Sequence, residues 1–258
     1  MKQQHPATFA ENDIQKLILF FTKKGGRVLD PFLGSGSTLI ACLNTRRDGV
    51  GVELIDRWVT VAERRLQLAK ETCQRAQHSG RKLSSESILS VVRGDSRQSL
   101  RALEPESFDF VVTSPPYWRI LTKARDHKSR RERLSKGLPT KYSEDTRDLG
   151  NVSGYRQFLV ELVKVFFECY RVLKIGKYMV VIVSDFRHGS KFIAFHNDLA
   201  TAIVRVGFSL EGITILAQDS KNLYPYGMPY AFVSNIHHQY ILIFRKPAKE
   251  SNELEESG

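Results

Sequence analysis

The chain has 258 residues, 41% of them hydrophobic, which is enough apolar material for one large domain with a full core. Its net charge of +11, from 39 Lys and Arg against 28 Asp and Glu, favours a polyanionic partner; a merely soluble basic protein is the alternative. The three cysteines are scattered without metal-ligand spacing, which predicts reduced thiols and no metal site. The start is unlike a signal peptide, and no apolar run approaches the ~18 residues of a membrane span. We therefore expect a cytoplasmic, nucleoid-associated protein.

Apolar periodicity and turn residues predict strands that alternate with helices along most of the chain. We expect helices over 12–23, 37–44, 56–77, 155–173 and 195–206, the fourth ended by Gly176 in a left-handed conformation. We expect strands over 27–30, 49–55, 90–95, 108–113, 178–183, 212–218 and 239–246. This alternation predicts an α/β fold, a parallel sheet with helices on its faces.

The first strand runs into the loop "PFLGSGST", which combines features of a small-ligand site. Gly34 and Gly36 let the backbone come close to a ligand, and Ser37 or Thr38 begins a helix whose N-terminus attracts anionic groups. The loop lacks both the lysine of a Walker motif and the spacing GxGxxG, which argues against triphosphate or dinucleotide binding. The residues therefore predict a nucleoside-type ligand with a carboxylate end, with an ordinary turn as the alternative.

An acidic residue ends each of the first three predicted strands: Asp30, Glu53 and Asp95. Glu53 is placed to accept hydrogen bonds from two ribose hydroxyls, and Asp95 to accept one from an adenine amino group. The alternatives are that Glu53 is a solvated strand end and that Asp95 only caps the next helix. Three such residues on consecutive strands favour a binding site.

The stretch "FDFVVTSPPYW" (108–118) reads as a central strand, covered on both faces, that runs into two prolines. The prolines end the strand because neither can donate to a ladder. They predict a rigid corner between Ser114 and Tyr117, with an unpartnered carbonyl at Pro115, at the sheet edge where ligands bind in open α/β folds. A proline turn packed with core aromatics is the alternative.

Together, "DPFLGSGST", Glu53, Asp95 and "TSPPYW" resemble the S-adenosylmethionine-dependent amino-methyltransferases of DNA, the SPPY-type cytosine-N4/adenine-N6 family. "HPATF" (5–9) and the stretches 148–185 and 237–246 resemble further elements of this family, so the likeness covers nearly the whole chain. It implies a Rossmann-like, seven-stranded, mostly parallel sheet with helices on both faces, and S-adenosyl-L-methionine as cofactor. The expected cofactor-binding residues are His5, Pro6, Thr8, Phe9, Asp30, Pro31, Phe32, Gly34, Ser35, Gly36, Ser37, Thr38, Glu53, Leu54, Asp95 and Ser96.

The resemblance makes Ser114, Pro115, Pro116 and Tyr117 the expected catalytic residues. An exocyclic amine is a poor nucleophile because its lone pair is delocalised into the ring. Two fixed acceptors, a prolyl carbonyl and the Ser114 hydroxyl, would hold its hydrogens and free that lone pair for attack on a sulfonium methyl. Tyr117 and Trp118 would stack on a base flipped out of the duplex.

Serine at position 114 bears on the substrate, since in this family SPPY is commoner among cytosine-N4 enzymes and DPPY among adenine-N6 enzymes. We therefore expect a site-specific DNA methyltransferase that modifies cytosine N4. The alternatives are an adenine-N6 methyltransferase, a catalytically silent DNA-binding partner subunit of the same fold, and, at lower rank, an enzyme acting on RNA.

The segment "RILTKARDHKSRRERLSKGLPTK" (119–141) is strongly basic and has few apolar residues, which predicts a loop that contacts DNA phosphates; a solvated surface insertion is the alternative. The aromatic-rich segment 219–235 lines a flipped-base pocket in one interpretation and packs against the sheet in the other. His237 and His238 are expected at a strand edge and not as metal ligands. The predicted DNA-binding residues are Trp118, Arg119, Lys123, Arg125, Lys128, Arg130, Arg131, Arg133, Tyr224, Tyr226 and Tyr230.

We expect one methyltransferase domain over 1–247, with a cofactor half at 1–107 and a catalytic half at 108–247. The catalytic half would carry a basic, mobile insertion at 119–153, and the acidic residues 248–258 would form a disordered tail. A target-recognition region of substantial size is not visible. We therefore expect that the two loops alone read the DNA sequence or that a second subunit contributes. That subunit would be a second copy of the chain in a homodimer, or a specificity or restriction partner.

Overall fold

The computed structural model describes residues 11–78, 87–118, 145–188, 191–217, 225–226, 233–234 and 236–248. Its helices are α1 (Glu11–Phe21), α2 (Ser37–Thr45), α3 (Asp56–His78), α4 (Ser96–Ser99), α5 (Tyr155–Val172) and α6 (Phe195–Val204). Short 3-10 helices lie at Leu100–Ala102 and Leu149–Asn151. In these ranges, no helix combines the length and the apolar character that crossing a membrane requires.

The main sheet has seven strands, in the order β3-β2-β1-β4-β5-β11-β8. They are β1 (Arg27–Asp30), β2 (Asp48–Glu53), β3 (Leu89–Arg93), β4 (Phe108–Thr113), β5 (Leu173–Val183), β8 (Ser209–Ala217) and β11 (His238–Arg245). Two short hairpins pair β6 (Phe186–His188) with β7 (Lys191–Ile193) and β9 (Pro225–Tyr226) with β10 (Val233–Ser234).

Strands β1 to β5 pair in parallel, and β11 runs antiparallel to both β5 and β8. The chain winds outward from β1 to β3 and then crosses to β4 on the other side of β1. This reversal is the switch point at which open α/β sheets bind their ligands. The predicted Rossmann-like, seven-stranded, mostly parallel fold is confirmed.

Helices cover both faces of the sheet, as predicted. One face packs against α5 and α6 through Phe158, Leu162, Val165, Phe166, Phe195 and Leu199, all fully buried. The other face packs against α1 and α2 through Ile14, Ile18, Ala41 and Cys42. The alternating residues of β4 are buried on both sides, Val111 in the first cluster and Val112 in the second, so the prediction of a doubly covered central strand is also confirmed.

The prediction that Gly176 ends the long helix is wrong. Helix α5 ends at Val172, and β5 begins at the next residue. Gly176 has a φ of 75° but lies inside β5, where the register with β4 shifts between Phe108 and Phe110. A glycine in the left-handed region suits a strand irregularity as well as a helix end, and only the pairing with a neighbouring strand separates the two.

The last part of the predicted basic insertion, residues 145–153, is described and forms local hydrogen bonds, whereas its mobility stays a prediction. Asp145 accepts a hydrogen bond from the Arg147 backbone N–H at 2.8 Å, and Asp148 accepts one from the Gly150 N–H at 2.9 Å. The guanidinium of Arg97 donates to the Arg147 carbonyl at 2.9 Å. The segment thus contains two aspartate-capped turns and is bonded to Arg97 of α4.

Candidate cofactor and catalytic site

A cleft opens at the carboxyl edge of the sheet, where β1, β2, β3 and β4 end; its empty space, including the open mouth, is about 1040 Å³. It lies at the switch point between β1 and β4. The structure thus brings the glycine loop and the double-proline corner together along one edge. The predicted site residues that line the cleft are Asp30, Pro31, Phe32, Gly34, Ser35, Ser37, Thr38, Glu53, Leu54, Asp95, Ser96, Ser114, Pro115 and Pro116.

The two glycines of the loop have different surroundings. Gly34, with a φ of 56°, lines the cleft, whereas Gly36, with a φ of 88°, precedes α2 outside the cleft wall. A Cβ on Gly36 would lie 3.0 Å from the Ala62 Cβ of α3. Gly36 is therefore required by the close approach of a helix as well as by its backbone conformation, and sequence spacing does not reveal this.

Asp30 is buried and joins three elements. Its Oδ2 accepts a hydrogen bond from the Thr38 hydroxyl of α2 at 2.6 Å, and its Oδ1 accepts one from the Thr113 hydroxyl of β4 at 2.7 Å. Oδ1 also accepts from the Phe32 backbone N–H at 3.0 Å. Burial raises the pKa of Asp30, and these hydrogen bonds oppose that rise. Hydrogen bonds from the chain itself thus occupy most of the acceptor capacity of this carboxylate.

Glu53 connects the end of β2 to the glycine loop. Its two oxygens accept hydrogen bonds from the Gly34 and Ile55 backbone N–H groups, each at 2.8 Å. The residue is buried and lines the cleft, so the alternative of a solvated strand end is wrong. Burial raises the pKa of Glu53 to about 7; the two backbone bonds lower it, and the charges of Asp30 and Asp148 raise it again.

Asp95 caps α4 by accepting from the Arg97 backbone N–H at 2.9 Å, which was the alternative interpretation of this residue. Its carboxylate also forms an ion pair with the Arg97 guanidinium at 2.6 Å, and Arg97 in turn binds Glu161 of α5 at 2.6 Å. Asp95 nevertheless lines the cleft. The next residue, Ser96, donates its hydroxyl to the Pro31 carbonyl and so ties α4 to the loop after β1.

Two buried side-chain oxygens find no hydrogen-bond partner within the described part of the chain: the hydroxyls of Ser37 and Ser114. Both residues line the cleft, one from the glycine loop and one from the double-proline corner. A buried hydroxyl without a partner costs about 1–3 kcal/mol. Such groups are expected where a polar ligand completes the site, and the two hydroxyls therefore fit a ligand that spans both motifs.

Tyr117 and Trp118 are not part of the cleft wall. Both are buried: the Tyr117 hydroxyl accepts from the Ser184 N–H at 2.9 Å, and the Trp118 indole donates to the Val152 carbonyl at 2.8 Å. Burial raises the pKa of Tyr117 to about 12. The two rings thus hold the corner against the end of β5 and the start of α5, and their stacking on a base stays a prediction.

Several residues of the cleft were not found from the sequence. Thr113 ends β4 and bonds to Asp30, Trp58 comes from the first turn of α3, and the segment after the basic stretch adds Arg147, Asp148 and Leu149. Asp148 is 5% exposed. An aspartate two residues before a glycine was the only signal in the sequence, and it indicates a turn without indicating which surface the turn covers.

Some predicted site residues lie outside the described residues. They are His5, Pro6, Thr8 and Phe9 near the start, and Arg119, Lys123, Arg125, Lys128, Arg130, Arg131, Arg133, Tyr224 and Tyr230 among the expected DNA-binding residues. For Tyr226 only the backbone is described, in the strand β9. The roles of all these residues stay predictions.

Solved methyltransferase structures share this fold. A methyltransferase from Bacillus halodurans C-125 is 16% identical, with a TM-score of 0.53, over 92% of this chain and 100% of that one. Precorrin-6y C5,15-methyltransferase from Geobacter metallireducens is 12% identical, with a TM-score of 0.51, over 95% of this chain and 91% of that one. At these identities the likeness shows the fold alone. Fold and cleft together define the class, an open α/β protein of Rossmann-like fold with a cleft at the switch point of its sheet.

A family model for N6/N4 methyltransferases, described as DNA methylase, matches residues 1–64 and 108–257, and the chain belongs to this family. Type II methyltransferase M.Cfr9I of Citrobacter freundii is 46% identical over 63 residues, 24% of this chain and 21% of that protein. Type II methyltransferase M2.DpnII of Streptococcus pneumoniae is 33% identical over 69 residues, 27% of this chain and 26% of that protein. The chain thus aligns with about a quarter or less of the length of either relative.

The family depends on S-adenosyl-L-methionine, which is the cofactor of this protein. The cleft fits it, since the buried Glu53 carboxylate suits a ribose. The Ser37 hydroxyl, which has no partner among the described residues, lies at a helix start that suits a carboxylate. Apolar residues such as Phe32, Leu54 and Trp58 offer surface for a purine ring.

Proposed function

We propose that this protein is a site-specific DNA methyltransferase that transfers a methyl group from S-adenosyl-L-methionine to the N4 amine of cytosine, with the base flipped out of the duplex. One observation carries the proposal. A single cleft is lined by the glycine loop and by the Ser-Pro-Pro corner, and each contributes a buried hydroxyl without a partner among the described residues. A cofactor and a second substrate thus have adjacent places on the same sheet edge.

In the proposed cofactor half, Glu53 accepts hydrogen bonds from the ribose hydroxyls through the lone pairs left free by Gly34 and Ile55. Asp95 accepts from the adenine amino group beside its ion pair with Arg97. Ser37 donates to the methionine carboxylate at the start of α2, since the neighbouring Thr38 hydroxyl is already bonded to Asp30. Asp30 acts through Thr38 and Thr113 and holds the loop in place.

In the proposed catalytic half, the Ser114 hydroxyl and the Pro115 carbonyl accept the two hydrogens of the target amine. Within the described residues, neither group has a hydrogen-bond partner. Holding both hydrogens out of the ring plane localises the nitrogen lone pair and orients it for in-line attack. S-adenosyl-L-methionine, when bound, supplies a methyl group on a positively charged sulfur. Ser114 is not a base at neutral pH, so the amine proton passes to water after transfer.

The choice of cytosine N4 rests on serine at position 114, which is commoner in cytosine-N4 members of this family. The phosphate contacts are assigned to the basic residues between Arg119 and Arg133, in line with the net charge of +11. Binding to DNA would place the protein with the nucleoid in the cytoplasm.

The test is methylation of unmodified, PCR-amplified genomic DNA by the purified full chain, with S-adenosyl-L-methionine carrying an isotope-labelled methyl group. Mass spectrometry of the digested DNA should find label in N4-methylcytosine. Ser114→Ala is the matched control, expected to bind the cofactor as wild type does and to transfer no methyl. Label found only in N6-methyladenine would reject the base assignment. A wild type as inactive as Ser114→Ala would favour a silent partner subunit.

A further inference from the structure

The hairpin formed by β6 and β7 lies beside the catalytic corner and has no role in the site described above. It leaves the sheet directly after β5, whose carboxyl end neighbours that of β4. Its pairs are Phe186 with Ile193, Arg187 with Phe192 and His188 with Lys191. We call these two strands the β6–β7 hairpin.

One side of the β6–β7 hairpin is anchored to the residues that follow Ser-Pro-Pro. Phe186 and Ile193 are buried, and the Phe186 ring makes an edge contact with Tyr117 at 6.3 Å between centroids. The His188 ring stacks on Trp118 at 4.5 Å, with 29° between the ring planes. The position of the hairpin is therefore coupled to the catalytic corner through two aromatic contacts.

The β6–β7 hairpin also carries exposed, positively charged side chains. Arg187 and Phe192 are paired and face away from the anchored side, whereas Lys191 is paired with His188; all three are exposed, Phe192 to 46%. The Arg187 guanidinium lies over the Phe192 ring, 5.4 Å from its centroid, which restricts the directions it can take. The preceding acid, Asp185, is 4% exposed and hydrogen-bonds His196 at 2.7 Å.

The position of the hairpin indicates which part of a bound substrate would lie near it. The cofactor residues occupy the ends of β1, β2 and β3, so a nucleotide that reaches Ser114 approaches from the other side of β4, where β5 and the hairpin lie. A flipped nucleotide stays joined to its neighbours by the phosphates on either side of it. Those flanking phosphates then pass the exposed side chains of the hairpin.

We propose that Arg187 and Lys191 bind the DNA phosphates that flank the flipped nucleotide, with Phe192 supporting the Arg187 guanidinium. This inference rests on the proposed function and adds a DNA-contacting element to it. Phosphate contacts fix the position of a protein on DNA without reading its sequence. The β6–β7 hairpin would thus position the duplex so that one base lies opposite the Ser-Pro-Pro corner.

The test compares the double variant Arg187→Gln/Lys191→Gln with a matched double variant, Lys23→Gln/Arg101→Gln. Lys23 and Arg101 are exposed and lie near the amino ends of β1 and β4, at the opposite edge of the sheet. Both variants lose two positive charges, so a general charge effect acts on both. Dissociation constants for a duplex are measured by fluorescence anisotropy over a series of KCl concentrations, and cofactor affinity by calorimetry.

The hairpin variant should bind DNA on the order of tenfold more weakly at low salt. The slope of log K against log salt should become shallower by about 2, since each phosphate contact contributes about 0.9. Its cofactor affinity should stay unchanged, and the control variant should behave as wild type in every measurement.

A hairpin variant with the wild-type salt slope, or with no larger change than the control variant, would overturn the inference about the hairpin. If the wild type still transfers methyl groups in that case, the proposed function is unaffected. A wild type that neither binds nor methylates DNA would overturn both.

Discussion

Glu53 is a carboxylate whose ionisation is set by the cleft around it. It is buried at the end of β2, and burial raises its pKa to about 7. Two backbone N–H groups already bond to its oxygens, which stabilises the charged form but does not compensate for the loss of water. A cofactor that donates two hydroxyls would meet a group that is only partly ionised near neutral pH.

We therefore expect cofactor affinity to fall in acid. In the proposed site the Glu53 carboxylate accepts both ribose hydroxyls when it is charged, above about pH 7, and loses acceptor capacity when it is protonated, below about pH 7. The dissociation constant should rise about tenfold from about pH 8 to about pH 6. Calorimetry over this range measures it.

Glu53→Gln is the control for this pH dependence. It keeps the size of the side chain and removes its titration, so its affinity should be weaker and should depend much less on pH. Any dependence that remains in Glu53→Gln comes from other groups of the protein or the cofactor. A wild-type affinity that is flat across the range would contradict the assignment of Glu53 to the ribose.

At the scale of elements, the cleft depends on how β1, α2 and β4 are joined. Asp30, at the end of β1, binds the hydroxyls of Thr38 in α2 and Thr113 in β4. Thr113 immediately precedes Ser114, so one buried carboxylate joins the glycine loop to the Ser-Pro-Pro corner. In the proposed function Thr113 is a positioning residue.

Thr113→Val replaces the hydroxyl with a methyl group of similar size and leaves Asp30 one donor short. We expect the free energy of unfolding to fall by about 1–3 kcal/mol, because a buried carboxylate loses a hydrogen bond. The turnover of methyl transfer should fall as well, since the corner is no longer tied to the loop. Urea denaturation and single-turnover kinetics measure the two effects.

Two further variants separate positioning from stability. Thr113→Ser keeps the hydroxyl and should restore most of the turnover. Thr45→Val removes another buried hydroxyl, one that bonds the Ala41 carbonyl at 2.7 Å in the last turn of α2, and should lower stability with turnover intact. Full turnover in Thr113→Val would show that the bond to Asp30 plays no part in catalysis.

At the scale of the whole molecule, the predicted cofactor half and the predicted catalytic half contribute strands to one continuous sheet. β1 of the first half pairs with β4 of the second, and the cleft has walls from both. Separate unfolding of either half would break this pairing. The arrangement therefore predicts that the two halves unfold together, in one cooperative transition.

The two tryptophans test this, because Trp58 lies in the first half and Trp118 in the second, and both are buried. Trp118→Phe leaves Trp58 as the only fluorescent tryptophan, and Trp58→Phe leaves Trp118. Urea unfolding followed by fluorescence should give midpoints that agree with circular dichroism of the same variant.

Cofactor at about 100 times the dissociation constant of each variant should add about 2.7 kcal/mol to its stability. In either variant, a fluorescence transition distinct from the circular dichroism transition would mean that the halves unfold separately, and the single domain over 1–247 would be the wrong description.

The sequence alone was sufficient to predict the fold class, the positions of most helices and strands, and the location of the two motifs. These features follow from local rules. Apolar periodicity sets strands and helices, glycines and prolines end them, and parallel strands place their carboxyl ends on one edge. These rules were enough to predict that the glycine loop, Glu53, Asp95 and Ser114 would meet. Gly176 shows their limit, since a left-handed glycine fits a strand irregularity and a helix end equally well.

Only the tertiary structure decided what each side chain of the two motifs contacts. Gly36 and Tyr117 come from the predicted motifs but face a helix and the core, whereas Thr113 and Asp148 reach the cleft without belonging to the predicted site. The physical reason is that the direction of a side chain in a loop depends on packing against elements far away in the chain. Spacing within a motif contains no information about those partners.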